Sequence, residues 1–496
     1  MNYTGMKALV MGLGLHGGGL ESARFLLRQD ADVTVTDLRD EKILMPSIEQ
    51  LNKFCSDLGK NPVRYVLGKH ETSDFKDADI VIKNPGVRVD SPFLQVSKKI
   101  ETDLSLFLVF SPARLFAVTG TKGKSGTASA LHWILSSNRK SGKAFLGGNI
   151  TVSPLTFLDE LTEHDDVVLE LSSFQLGDIK NHTAADGSRL LKPKAAVLTP
   201  IMRDHLDRYA SMEEYIDDKR NIYRGQDSSC ITVAGEDNWG KGFLCETKAR
   251  PLIRSLTPLG EGISGGWIDA DGAGFARIYN REKKEHPVSE RESSQSLPLF
   301  TEDIVELVPQ RLLTPGDHQR INMLSAALAA YGLGVEPEVI RGALASFTGI
   351  EHRLELFHKT DKICFYNDSA ATIPEAAAAC IEALSANAPL VLVTGGTDKN
   401  LDFTPLAKAA AKAEDVILLA GTGSEKIKSL LRDNAVRFKG PFDDLDEAVR
   451  CAVKEAQNKE SACNVALSPG CASFGMFLNE FDRGRKWKEA VLRITN

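Results

Sequence analysis

The run Arg114-Leu-Phe-Ala-Val-Thr119 ends in Gly120-Thr-Lys-Gly-Lys-Ser125 and passes directly into Gly126-Thr-Ala-Ser-Ala-Leu-His-Trp-Ile-Leu135. A β-rich run, a glycine turn and a helical pattern in that order constrain this part of the chain to a parallel α/β unit. The glycines let backbone N–H groups close on the phosphates of a nucleotide at a helix N-terminus. Lys124 supplies positive charge, and the Ser125 hydroxyl can ligate magnesium. The full pattern G-x-x-x-x-G-K-[ST] would place a glycine where Val118 stands, so the loop is a shortened G-x-x-G-K-S. The competing reading is a glycine turn carrying a surface lysine, which the strand–loop–helix setting disfavours.

A second loop of the same kind opens the chain. Lys7-Ala-Leu-Val-Met11 leads into Gly12-Leu-Gly14-Leu-His-Gly17, and Asp37 follows Gly17 by twenty residues. This G-x-G-x-x-G is either a tight βα turn or a diphosphate cradle, and its ligand need not be NAD. Asp37 could accept from a ribose hydroxyl or a uracil N–H. An NAD-dependent oxidoreductase would use this loop alone and leave the second unexplained. A non-catalytic nucleotide-binding regulator would keep Lys124 and little else. An enzyme that spends ATP on a nucleotide-diphosphate-linked substrate uses both.

At 496 residues the chain exceeds one compact core. Its pattern divides into three α/β blocks, 1–110, 111–347 and 348–496. The first is Rossmann-like, the second is a P-loop ATPase-like domain with a mostly parallel sheet, and the third is Rossmann-like again. Residues 226–310, rich in glycine and charge, give no clear assignment. Residues 321–334 read as a buried helix. The strands predicted in the third block end in Gly, Asp or Pro, where open parallel sheets hold ligands.

A net charge of −7 without a basic block argues against nucleic acid. Eight scattered cysteines without C-x-x-C fit buried thiols in a reducing compartment. No apolar run reaches 18 residues and the N-terminus lacks a basic segment, so the expectation is a cytoplasmic protein with no membrane contact. No coiled-coil pattern is visible, so a monomer is expected.

The middle block concentrates the remaining chemistry. Glu170 ends the apolar run Asp166-Val-Val-Leu-Glu and is either a structural acid or a metal ligand. Asp204, His205 and Asp207 crowd the exit of the run Lys194–Pro200, and Lys219 follows His205 by fourteen residues on a helical pattern. Singly, each reads more simply as structural. With Lys124 and Ser125 they supply the ligands and cations that phosphoryl transfer needs, although histidine is an unusual magnesium ligand.

These residues, with Leu146–Ile150, Leu169–Leu176, Asp204–Tyr209, His352–Glu355, Tyr366–Thr372, Gly395–Lys399 and Leu467–Phe474 in order, resemble the Mur ligase family of ATP-dependent amide-forming enzymes. The resemblance runs nearly end to end and is weakest over 226–310. It implies addition of D-glutamate to UDP-N-acetylmuramoyl-L-alanine through an acyl phosphate, in peptidoglycan precursor synthesis, with ATP and Mg²⁺. Siblings that add another amino acid are the nearest alternative.

The resemblance also implies site residues. Gly120, Thr121, Lys122, Gly123, Lys124, Ser125 and Gly126 would hold ATP, with Asn322, Arg353 and Asp368. Leu15, His16, Gly17, Asp37, Arg39, Asn84 and Gly86 would receive the UDP end, and Asn149, Ser172 and Gln175 the sugar-peptide. Lys124, Glu170, His205 and Lys219 would be catalytic. Ser125, Glu170, His205 and Lys219 as a carbamate would bind the metal. Thr372, Lys399, Ser473 and Phe474 would form the amino-acid pocket. The chain departs from the family pattern at Gly126, where Thr is common, and at Gln319, where Asn is usual. Ala370 replaces a lysine. Glu480 falls at a pocket aromatic, with Phe481 adjacent.

Overall fold

The computed structural model describes residues 3–15, 17–138, 142–150, 152–205, 208–279, 303–314 and 316–495. His16 and Asp207, both singled out above, lie outside the described residues, as does part of the unassigned stretch 226–310. The fold is α/β throughout and is organised by three sheets. It forms two compact units, Met1–Gln310 with Arg320–Leu344, and Arg311–Gln319 with Ala345–Asn496.

The first sheet has the spatial order Arg64–Leu67, Asp32–Asp37, Lys7–Met11, Ile80–Lys83, Ile100–Glu101, and every pairing is parallel. In sequence terms this is 3-2-1-4-5, the dinucleotide-fold order. The order reverses between Lys7–Met11 and Ile80–Lys83, where ligands sit in open parallel sheets. Alternation builds both faces. Ala8, Val10, Ile80 and Ile82 join the larger core, while Leu9, Met11 and Val81 pack with Phe75 and Leu94 on the other side.

The second sheet has nine strands. The P-loop strand Arg114–Thr119 lies between Ala195–Leu198 and Asp166–Glu170, with Ala144–Gly148 beyond the latter. On the opposite flank Ile231–Gly235 and Arg250–Ser255 continue in parallel, followed by Gly265–Ile268. The last two strands, Gly274–Arg277 and Val305–Val308, turn antiparallel. The stretch without a clear pattern thus supplies, among the described residues, five strands of this sheet, of which Val305–Val308 is the edge. The helix Asp317–Gly332 is buried almost throughout its second half, as its alanine- and leucine-rich sequence predicts.

The first two sheets belong to one unit and share a core. Phe107, on the helix Asp103–Phe110, meets Phe157 edge to face at 6.0 Å. Such a pair contributes about 1 kcal/mol beyond its buried area.

The second unit contains six strands in the order Glu355–Lys359, Ile363–Asn367, Cys463–Leu467, Leu390–Thr394, Asp415–Leu419, Phe438–Phe442. Only the first pairing is antiparallel. Helices Pro374–Ser385, Thr404–Ala410 and Thr422–Asp433 cover one face. The chain then doubles back, so Leu445–Gln457 and Glu480–Thr495 cover the other.

Candidate active site

The P-loop strand stops at Thr119 because Gly120 turns sharply against Thr199, at a φ of 148° that disfavours any side chain. Thr121 then pins the loop. Its hydroxyl lies 2.9 Å from the Tyr215 hydroxyl, and it receives the Met202 N–H at 3.0 Å. The N-cap of the helix Lys124–Ser137 is Gly123, which has no side chain to cap it, and a helix N-terminus favours an anion.

Two lysines meet at this loop. Lys124 Nζ donates to Gly120 O at 3.1 Å and Thr121 O at 3.0 Å. Lys219 Nζ, from the helix Met212–Arg220, donates to the same Gly120 O at 2.8 Å. Lys219 is 1% exposed and lies over the Tyr215 ring. Burial, reinforced by the Lys124 charge, lowers its ammonium to about 7. A substantial fraction of neutral amine at ordinary pH is the form that reacts with carbon dioxide.

Glu170 and Asn149 leave the sheet beside the P-loop strand, because Glu170 is in register with Val118 on one side and Gly148 on the other. Asn149 Nδ2 donates to Glu170 Oε1 at 2.8 Å. Oε2 is buried without a hydrogen-bond partner. An orphaned carboxylate oxygen at a strand end is left with acceptor capacity for a ligand or a cation. Two residues further, Ser172 and Gln175 form a reciprocal cap on the helix Ser173–Asp178. Gln175 is thereby engaged by the backbone, and its first role is to shape the loop after Glu170.

His205 has a φ of 54°, an uncommon conformation for a non-glycine residue. Its ring is partly exposed, 4.9 Å from Phe174 and 6.1 Å from Tyr215. Asn322, from the next-to-last helix of this unit, faces Gly123 so closely that a Cβ there would collide with its Oδ1.

In the first sheet, both oxygens of Asp37 are engaged internally. Gly14 N–H donates to Oδ2 at 3.2 Å, and the backbone N–H and Nε of Arg39 donate to Oδ1 at 2.9 and 3.2 Å. Asp37 therefore braces the glycine loop and holds Arg39 beside it. Leu15 is half exposed at the loop tip. Asn84 forms a turn with Gly86 N–H on its Oδ1 at 3.0 Å, and its Cβ packs against Gly12.

In the second unit, Asp368 is buried, accepting from Leu354 N–H at 3.1 Å and Ser468 Oγ at 2.6 Å. Burial raises its carboxyl to about 6 despite these bonds and nearby Arg353. A separate pocket of about 180 Å³ is lined by Gly395, Gly396, Ala472, Ser473, Phe474 and Phe477, among others, with Arg483 at its base. The expected Ser473 and Phe474 line it, while Thr372 and Lys399 do not. Phe481 turns away to His352 at 5.3 Å, so the aromatics here are Phe474 and Phe477. Arg483, which sequence reasoning passed over, donates to Cys471 O and Ser369 O at 3.1 and 2.8 Å.

Sequence reading also missed Lys83 and Arg208. Lys83 pairs with Asp178 at 2.7 Å, both nearly fully buried. The guanidinium of Arg208 lies 3.9 Å from the Phe174 ring centroid. A lysine ending an otherwise apolar strand was the available signal, because a charge there has to find a partner.

Fold and loop geometry define an α/β protein of the phosphate-loop class. Three family models match the chain: Mur ligase MurD-like N-terminal domain over 6–104, Mur ligase middle domain over 118–330, and Mur ligase, glutamate ligase domain over 352–464. The UDP-N-acetylmuramoylalanine--D-glutamate ligase of Treponema pallidum (strain Nichols) is 38% identical, with 98% of this chain and 97% of that one covered. The protein of the same name from Roseiflexus sp. (strain RS-1) is 37% identical, with 100% of both chains covered.

Among solved structures, UDP-N-acetylmuramate-alanine ligase MurC from Thermotoga maritima superposes with a TM-score of 0.55 at 19% identity. That match covers 99% of this chain and 100% of that one. MurF from Acinetobacter baumannii gives 0.55 at 15% identity, covering 98% and 93%. These likenesses establish the three-domain fold. The chain belongs to the Mur ligase family, and it is an ATP-dependent ligase.

Proposed function

We propose that this enzyme joins D-glutamate to UDP-N-acetylmuramoyl-L-alanine in peptidoglycan precursor synthesis. The observation that carries the chemistry is the convergence of Lys124 and buried Lys219 on Gly120 O. The choice of D-glutamate is supported by the names of relatives aligned over nearly the whole chain.

In the reaction the terminal carboxylate of the UDP-linked substrate attacks the γ-phosphorus of ATP, forming an acyl phosphate and releasing ADP. The amine of D-glutamate then attacks the acyl carbon, an amide bond forms, and phosphate leaves with the proton lost to solvent. Lys124 exchanges its loop carbonyls for the γ-phosphoryl oxygens and offsets charge as it develops. The helix N-terminus and the loop N–H groups of Gly120–Gly126 hold the remaining phosphates. Asn322, which faces Gly123, completes the nucleotide site of this unit.

Magnesium fits the donor set. Among the described residues no three His, Cys, Asp or Glu side chains converge, so the set must include other oxygens. Ser125, the orphaned Glu170 Oε2 and a carbamate on Lys219 provide them, with His205. Bound there, the ion would neutralise phosphate charge.

At the other end, Leu15, His16, Gly17, Arg39, Asn84 and Gly86 receive the UDP moiety, with Asp37 as brace. Asn149, Ser172 and Gln175 face the sugar-peptide. Ser473 and Phe474 receive D-glutamate in the pocket lined by Arg483, with Thr372 and Lys399 as the further contacts that the family resemblance implies. The domain boundaries follow as 1–110, 111–347 and 348–496, a division supported by family matches that fall inside each segment. The reading extends to a cytoplasmic monomer acting on small molecules, without nucleic acid. Among the described residues no helix is long and apolar enough to cross a membrane.

The test is phosphate release from ATP and Mg²⁺ with UDP-N-acetylmuramoyl-L-alanine, offering D-glutamate, L-glutamate, L-alanine and meso-diaminopimelate separately. Release dependent on D-glutamate is the expected result. Release with another acceptor would move the enzyme to a sibling activity.

A further inference from the structure

Lys83 ends the strand Ile80–Lys83 and is only 3% exposed. An ammonium has three N–H donors, and three acceptors surround this one. They are Asp178 Oδ2 at 2.7 Å, Val87 O at 2.9 Å and Asn84 O at 3.3 Å. With its charge paired to Asp178 and its N–H groups on two backbone carbonyls, Lys83 is committed inside the protein and acts on the elements those partners belong to.

The two carbonyls belong to the loop after the strand, and Asp178 ends the helix Ser173–Asp178 of the neighbouring sheet. A second cation spans the same gap. Arg208 Nη1 donates to Gly86 O at 3.3 Å while its guanidinium rests on Phe174, near the start of that helix. Three carbonyls of one short loop, those of Asn84, Gly86 and Val87, are thus held by cations anchored to opposite ends of one helix. On its far side the loop packs against the first glycine turn, and Gly12, Gly18, Lys83, Asn84 and Asp103 line one hollow of about 190 Å³. The helix itself begins just past Glu170.

We infer that Lys83 is a positioning residue that sets the UDP-side loop against the catalytic strand end. This rests on the reading of the first glycine loop as the UDP site. The ion pair fixes the spacing between the place where the UDP end is held and the place where its distal carboxylate must meet ATP. Losing it costs substrate alignment and leaves the nucleotide loop alone.

Lys83→Met keeps the apolar stem and removes the donors. The KM for UDP-N-acetylmuramoyl-L-alanine is expected to rise about tenfold to a hundredfold, the scale of a misplacement near 1 Å. The KM for ATP and kcat at saturation should stay within about threefold. Because Lys83→Met strands the Asp178 carboxylate in the interior, the companion is Lys83→Met/Asp178→Leu. That variant removes both charges and should recover the thermal unfolding temperature, while its KM stays raised because the carbonyls remain unheld.

Recovery of both stability and KM in the double variant would make Lys83 a structural ion pair and overturn the inference. So would an equal loss in kcat and in both KM values. Wild type is assayed first with the same substrates. Failure to release phosphate with D-glutamate would remove the functional reading and this inference together, whereas normal wild-type turnover with unchanged KM in the variants would remove this inference alone.

Discussion

The two glycine loops share a plan and differ in the sign of the charge that organises them. Each follows a central parallel strand and opens a helix with no side-chain cap. Beside the first stands a carboxylate, Asp37, which accepts the Gly14 N–H and holds Arg39. Beside the second stands the Lys124 ammonium, which shares the Gly120 carbonyl with the buried Lys219 amine. A loop that only holds a diphosphate can rely on N–H groups and keep an acid nearby as a brace. A loop at which a phosphoryl group changes hands has to carry mobile positive charge, because charge there moves during the reaction. On the proposed reading, binding and chemistry fall to different sheets, and the local electrostatics of the two loops differ accordingly.

The hardest blow to this contrast is Lys124→Ala. Turnover is expected to fall by about a thousandfold or more, the scale of removing a transition-state cation, while affinity for the UDP substrate changes little. Phosphate release and equilibrium binding on the same preparation check it, and near-normal turnover would end the assignment. Alanine at the two loops' glycines comes next. At Gly120 a Cβ collides with Thr199, so ATP binding should be lost. At Gly14 a new Cβ meets only the tip of Arg39, at 4.0 Å, and the cost is the left-handed φ of 68°, about 1–2 kcal/mol. Denaturant unfolding and nucleotide titration on the pair should rank them in that order.

Asp37→Asn separates brace from ligand contact. An asparagine can keep one acceptor but loses the charge that retains Arg39. We expect the KM for the UDP substrate to rise several-fold, with the KM for ATP unchanged. A rise in the ATP value would show that the loops are not independent.

Both loops were legible in the sequence as turns between a strand and a helix because such a unit is local. Strand, glycines and helix start lie within some twenty residues, and the chemistry of each position follows from backbone geometry. Glu170, His205 and Lys219 could be nominated one by one, but the approach of Lys219 to Gly120 O depends on how its helix packs on the sheet, which a one-dimensional pattern does not give. Asp37 is expected to accept from the substrate, and in the structure its oxygens also accept from Gly14 and Arg39, contacts the sequence did not show. Thr372 and Lys399 follow strand ends as expected but do not line the pocket with Ser473, because side-chain direction in glycine-rich loops is set by contacts remote in sequence. The strands between 265 and 308 escaped notice because each is only four residues long, too short to show a clear alternation. Lys83 and Arg208 were invisible as a pair, being joined only through a helix nearly a hundred residues from one of them.

The smallest predicted effect lies where the two loop-bearing sheets touch. Glu101, at the last strand of the first sheet, faces His182 at 3.1 Å, with side-chain exposures of 5% and 23%. Burial alone would raise Glu101, but hydrogen bonds from His182, Ser105 and Lys99 outweigh it and leave the carboxyl at about 2. The bond to Glu101 likewise outweighs burial at His182 and raises that imidazole above its ordinary 6.5. A depressed carboxyl contributes stability above its unfolded value, near 4.5, and loses it as pH falls toward 2. A raised imidazole contributes fully below 6.5 and loses it as pH rises through its folded value. The pair is therefore worth most between these limits. His182→Gln should cost about 1 kcal/mol by urea unfolding at about pH 5.5, and less at about pH 3 or 8.5. If the gap stays constant across that range, the contact is packing rather than charge, and the two sheets are joined by their shared apolar core and the Lys83–Asp178 pair.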